Sequence, residues 1–128
     1  MLSKRRLLKS LVIAPLVMSV ATPAQSSRRL LVQCTQINGM AYYDAEQVLA
    51  RMSAGDSVRL IREPANQYDP KAVAVYWQQH KLGFIPRLSN YAVGKMLEQG
   101  QTLEARIVLL EPRLMPYQGF EIEIEWVG

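Results

Sequence analysis

The sequence predicts a mainly β (α+β) domain, a small six-stranded barrel of OB-like or SH3-like kind carrying two short helices. Three observations support this. The run Phe120 to Val127 alternates strictly, with Phe120, Ile122, Ile124 and Trp126 on one side and Glu121, Glu123 and Glu125 on the other, so one face is buried and one is wet. Five further short apolar runs are separated by Gly, Pro, Asn and Asp, the residues of turns. Only two segments have helical spacing, and six short strands with two short helices in about a hundred residues fit a strongly bent barrel.

Taken in order, Arg28 to Ile37 holds Leu30, Leu31, Val32 and Ile37 and reads as the first strand, which Asn38-Gly39 breaks. Asp44 offers an N-cap, and Ala45, Val48, Leu49 and Met52 share one helical face, so Ala45 to Met52 is a short helix closed near Gly55. The second strand is Val58 to Arg62 and the third Ala72 to Gln78. Gln79, His80 and Lys81 turn into the fourth, Leu82 to Ile85. Ser89 or Asn90 caps a second helix bearing Val93, Met96 and Leu97, and Gly100 ends it. Leu103 to Leu110 and Phe120 to Val127 complete the set, with no internal repeat or sustained heptad pattern.

Ahead of this domain, residues 1–24 have the make-up of a cleavable export signal. Lys4, Arg5, Arg6 and Lys9 form a basic start, Leu11 to Val20 an apolar run, and Ser19-Val20-Ala21 or Thr22-Pro23-Ala24 a small-residue cleavage site. The apolar run is shorter than the ~20 residues that span a bilayer and contains Pro15, so membrane contact is expected only during export. Ser3-Lys4-Arg5-Arg6-Leu7-Leu8-Lys9 resembles a twin-arginine signal with lysine in the first basic slot, which leaves the Sec and twin-arginine routes both open. The expected product is exported, periplasmic or secreted, with a short tail over 25–30 and one domain over 31–127.

Four of the fifteen Lys and Arg lie within the first nine residues, and none of the eleven acids do. The remainder is therefore near neutral, and the whole chain's pI of 9.4 reports the leader. A globally basic nucleic-acid footprint is excluded, so DNA binding must rest on local placement of Arg59, Arg62, Lys71, Lys81 and Arg87. Cys34 is the single cysteine, which excludes an internal disulfide, and it reads as a buried apolar filler in a strand. With one Cys and one His, a zinc site of ordinary ligands is not available, and no cofactor is expected.

The stretch from Glu63 to Val75 is more particular than a strand connection needs. Pro64 and Pro70 restrict the backbone at each end, while Asn66 and Asp69 can hydrogen-bond neighbouring amides, so the loop should be stiff. It presents a phenol beside a carboxylate, Tyr68 and Asp69, which suits a flat ligand that also carries a hydroxyl. The plainer alternative makes Asp69 a turn cap and packs Tyr68 on the barrel rim.

The series Arg62-Glu63-Pro64-x-Asn66-x-Tyr68-Asp69-x-x-Ala72-Val73-x-Val75, followed by Leu82-Gly83-Phe84-Ile85-Pro86 and a short helix, resembles the HIRAN domain over roughly Leu31 to Trp126. That domain occurs at the N-terminus of Swi/Snf-type remodellers and as small stand-alone bacterial proteins. The resemblance implies a binding module that captures the 3′-OH end of single-stranded DNA. Tyr42 or Tyr43 would stack on a base, Tyr68 would pack on the terminal nucleotide, and Asp69 would accept the 3′-hydroxyl. A carboxylate accepts from a hydroxyl but repels a phosphate, so one residue would tell the two ends apart. Arg87 falls at a phosphate-contacting position and Lys71 flanks the same loop, the alternative for both being surface solvation. Phe120 is either a second stacking wall or core, and for Tyr42 and Tyr43 a hydrophobic staple is the alternative.

Phe84 stands where animal members have a histidine, and Ala41 where they have a basic residue, so two polar contacts are missing while a phenylalanine can still stack. No Ser, His or acid sits in a nucleophile or phosphate-cradling motif, and catalysis is not expected. The competing expectation is an exported interaction domain that recognises a peptide or envelope partner through the same rim.

Overall fold

The structure, a computed structural model, describes Pro15 and residues 28–128. Pro15 aside, the expected export signal lies outside the described residues. Six strands form one antiparallel sheet: β1 (Arg29–Gln36), β2 (Ser57–Arg62), β3 (Val73–Trp77), β4 (His80–Phe84), β5 (Leu103–Leu110) and β6 (Phe120–Val127), in the order β1-β6-β5-β2-β3-β4. The sheet curls until its two edges meet. The Asn38 amide donates to the Phe84 carbonyl at 2.8 Å and the Phe84 amide to the Asn38 carbonyl at 2.9 Å, joining the end of β1 to β4. Gly83 makes the meeting possible: its φ is +153°, and a Cβ there would strike the Asn38 carbonyl oxygen and press on Ile37 Cγ2 at 2.8 Å. The mostly β barrel with two short helices is therefore the observed fold.

Inside the barrel Val73, Val75, Leu82, Ile85, Ile107, Ile122 and Ile124 are each at most 1% exposed. Burial of each such side chain stabilises the fold by about 1.5–3 kcal/mol. The alternation of β6 holds, but its outer face is less wet than expected. Glu123 and Glu125 are half-buried under Arg106, at 3.5 and 3.7 Å, and Arg29 reaches Glu125 at 3.2 Å. Among the described residues no helix is long and apolar enough to cross a membrane.

Several local expectations need correction. The fourth strand begins at His80, because Gln78 takes φ +54° and lets Gln78-Gln79 alone make the turn. The first helix, α1 (Ala45–Val48), stops early and tightens into a 3₁₀ turn over Leu49–Arg51, since Met52 leaves in an extended conformation to enter the core. Asp44 precedes α1 without a side-chain cap bond and instead sits 3.5 Å from His80 Nδ1. Cys34 is exposed: β1 lies at a sheet edge, and an irregularity between Leu31 and Gln33 shifts its register. The second helix, α2 (Tyr91–Glu98), buries Val93 and Gly94 against the barrel, but Asn90 at its N-cap position turns its side chain elsewhere.

Candidate nucleic-acid interface

The β2–β3 loop is braced from within. Asn66 Oδ1 accepts from the amides of Tyr68 at 2.8 Å and Asp69 at 3.1 Å, so one side chain fixes the backbone beneath both candidate residues. Asn66 Nδ2 donates to Glu63 Oε1 at 3.1 Å, and Lys81 Nζ on β4 reaches Glu63 Oε2 at 2.7 Å. The same ammonium lies 4.3 Å from the centre of the Phe84 ring and 4.8 Å from that of Tyr43. Loop, strand and aromatic wall thus share one polar chain.

Asp69 closes that chain at the far end. Its Oδ1 accepts from the Lys71 amide at 2.9 Å and its Oδ2 from Asn90 Nδ2 at 2.8 Å. These donors, the Lys71 amide foremost, hold the carboxyl below its ordinary 3.8 against the opposing effect of burial, with help from the charges of Arg87 and Lys71. Each oxygen keeps a free lone pair, so the ionised group can accept a further hydroxyl.

Around it opens a groove of 260 Å³ lined by Tyr43, Asn66, Tyr68, Asp69, Phe84 and Arg87, with Asn38, Ala72 and Ile85 behind them. Tyr43 meets Phe84 edge to face, ring centres 5.6 Å apart. Tyr68 is 77% exposed on the opposite rim, free to lie against a ligand. Arg87 opens the 3₁₀ turn Arg87–Ser89, and Gln33 Nε2 ties that turn to β1 by donating to the Ser89 carbonyl at 3.0 Å. The site therefore pairs a hydroxyl acceptor with a cation between aromatic faces.

Five of the eight residues singled out in the sequence come together here: Tyr43, Tyr68, Asp69, Phe84 and Arg87. Three do not. Phe120 is 2% exposed and packs in the core, as its phase with Ile122 and Ile124 requires. Tyr42 is 86% exposed in a neighbouring dent beside Pro116 and Tyr117. Lys71 turns to the other side of the loop, over the Tyr91 ring. Asn90 and the latch between Lys81 and Glu63 were not anticipated as parts of the site. A larger hollow of 490 Å³ lies on the outer face of β5 and β6, but it is filled with ion pairs such as Arg29 with Glu104 at 2.7 Å and offers no aromatic face. Among the described residues, no group of three or more His, Cys, Asp or Glu is placed to hold a metal.

Comparisons with known proteins bear on the family and the fold. A crystal structure of a protein from Lactobacillus plantarum shares 29% identity with the chain, with a TM-score of 0.70 over 80% of this chain and 98% of the other. The crystal structure of the HIRAN domain of human HLTF shares the fold at 16% identity, with a TM-score of 0.56 over 77% of each chain. No curated protein matches the chain. The family model of the HIRAN domain matches residues 31–126, which takes in all six strands but the ends of β1 and β6, and the chain belongs to the HIRAN domain family.

Proposed function

We propose that the protein is a non-enzymatic nucleic-acid-binding module whose groove captures the 3′-OH end of a single strand. The observation that carries this is the Asp69 carboxylate, held ionised by two donors at the mouth of an aromatic groove with one lone pair on each oxygen still free. The terminal base lies against Tyr68 and the wall of Tyr43 and Phe84, the 3′-hydroxyl donates to Asp69, and Arg87 meets the preceding phosphate. A terminal 3′-phosphate would bring two like charges together and be rejected. Because the domain carries no overall positive charge, affinity leans on stacking and is modest in physiological salt.

Fluorescence anisotropy with labelled single strands ending in 3′-OH or 3′-phosphate, and with a blunt duplex, tests this directly. The expected order puts the hydroxyl end first, and the preference disappears in Asp69→Ala. Equal binding to all three overturns end capture. Failure to bind any of them favours an envelope or peptide partner, for which the exposed Tyr42 and Tyr117 in the neighbouring dent provide apolar surface.

We also propose export, from the basic and apolar make-up of residues 1–24. A periplasmic species lacking those residues is the expected product, and a full-length cytosolic protein contradicts it.

A further inference from the structure

The loop that carries Asp69 has a second side. Behind Pro70 lies another groove, of 310 Å³, between the loop and α2, with Arg62, Lys71, Tyr91, Lys95 and Glu98 on its walls and Gly94 on its floor. It is more basic than the first groove, where Asp69 faces Arg87: three cations and one carboxylate. Lys71 is held 5.5 Å from the centre of the Tyr91 ring and, among the described residues, forms no salt bridge. Glu98 is shared between Arg62 at 3.9 Å and Lys95 at 3.7 Å, long contacts among half-exposed groups that a phosphate oxygen can replace. Asp69 forms no ion pair on this side, its oxygens being engaged by the Lys71 amide and Asn90.

The placement of these groups follows from the local sequence. Tyr91 and Lys95 are four residues apart on α2 and therefore share a face. Tyr91 is 60% exposed, a large aromatic with an open ring face beside three cations. Gly94 lies between them, so no side chain rises from the floor; a Cβ there would make only ordinary contacts, 3.7 Å from Val73 Cγ2 and 3.8 Å from the Lys71 carbonyl oxygen. The ridge between the grooves is the segment Asp69-Pro70-Lys71, whose ends are at most about 7 Å apart, a distance one extended nucleotide bridges.

We propose that this second groove is a subsite for the nucleotides upstream of the captured end, with Lys71, Lys95 and Arg62 on backbone phosphates and Tyr91 as a stacking platform. The strand would cross the Pro70 ridge, leaving its hydroxyl at Asp69 and its phosphates upstream of the one at Arg87 on the basic side. The proposal rests on the end-capture reading above and extends its footprint beyond the terminal nucleotide.

The test compares unlabelled oligothymidylates two and eight nucleotides long, both ending in 3′-OH, as competitors in anisotropy over a range of salt. In the native protein the longer strand binds more tightly and with a steeper salt dependence. The double variant Tyr91→Ala/Lys95→Gln, confined to exposed side chains, is expected to weaken the longer strand by about fivefold or more. Its salt slope should fall by about 0.7 for the lost cation. The dinucleotide affinity and the preference for 3′-OH over 3′-phosphate should stay as they were. A length gain that survives in the double variant overturns the subsite and sends the strand another way, past Tyr42. A length gain that depends on Tyr91 and Lys95 in a protein without end preference keeps the subsite and removes end capture. Absence of binding at either length overturns both.

Discussion

Asn90 Nδ2 donates to Asp69 Oδ2 at 2.8 Å from a side chain that is 1% exposed, the one buried polar side chain in the core of the described residues. A buried amide has a fixed direction, so it aims the carboxylate as well as stabilising its charge. Asn90→Ala is expected to cost about 1–3 kcal/mol in urea unfolding and to reduce the preference for 3′-OH over 3′-phosphate. Asn90→Asp should be worse on both counts, because it sets a second carboxylate against the first. An unchanged preference in both variants would show that Asp69 needs no positioning.

The acid side of binding should be unusual for an aspartate. The folded-state pKa of Asp69 is depressed below 3.8, so any stability it contributes is present above that value and is lost as pH falls through the lower folded one. Hydroxyl recognition should follow the same course and persist at pH 4. The preference over 3′-phosphate has a second limb near pH 6, where the phosphate loses one of its charges and repulsion eases. Competition titrations from pH 8 down to 3.8 should therefore show the phosphate step alone in the native protein and no step in Asp69→Asn. An acid limb centred above 3.8 contradicts the depressed value.

Lys81 is the latch between loop and barrel. Burial raises the Glu63 carboxyl, but the Lys81 ammonium at 2.7 Å and the Asn66 amide outweigh it and leave the group below its ordinary 4.5. The two side chains are 26% and 22% exposed, between the weak surface pair and the costly buried one. Lys81→Met, which keeps the stem against Tyr43 and Phe84, should cost about 1–2 kcal/mol at pH 7. By linkage the loss shrinks below pH 4.5 as Glu63 protonates. A double-mutant cycle with Glu63→Gln isolates the pair, and zero coupling at pH 7 would rule the latch out.

Barrel closure depends on Gly83. Gly83→Ala would drive a methyl into the Asn38 carbonyl, backbone that cannot swing aside, whereas Gly55 at φ +96° has nothing within 4 Å of an added Cβ. Gly55→Ala then costs about 1 kcal/mol for its backbone conformation alone. Gly83→Ala should cost about 3 kcal/mol or more and speed hydrogen exchange at the Asn38 and Phe84 amides. Equal losses at the two glycines would contradict closure by the Asn38–Phe84 pair.

How much was legible from sequence tracks how local each cause is. The two-residue period of β6 and the proline-bounded loop are short-range signals, and both elements stand where the pattern puts them. The direction of a side chain at an element's end is set by what packs there. An asparagine ahead of a helix reads as a cap, yet Asn90 serves a carboxylate 21 residues earlier in the chain. Lys71 neighbours Asp69 in sequence but faces the other groove, because Pro70 separates them and Tyr91 attracts the ammonium. The resemblance marked Tyr68 and Asp69 together, and the structure adds the amide and latch that hold them.

The two adjacent tyrosines separate stacking from mere exposure. Tyr43 lines the groove and meets Phe84 at 5.6 Å, while Tyr42 is outside it and 86% exposed. Tyr43→Ala should weaken single-strand binding by about 1–3 kcal/mol; Tyr42→Ala should change it little, and neither should lower stability as a core change does. Phe120→Leu gives the opposite signature. It should destabilise the fold by about 1–2 kcal/mol through lost core volume, and the protein that remains folded should bind with native affinity. Measuring unfolding and anisotropy on all three variants sorts the aromatics into wall, rim and core. A binding defect in Phe120→Leu larger than its unfolded fraction explains would place that ring back at the ligand.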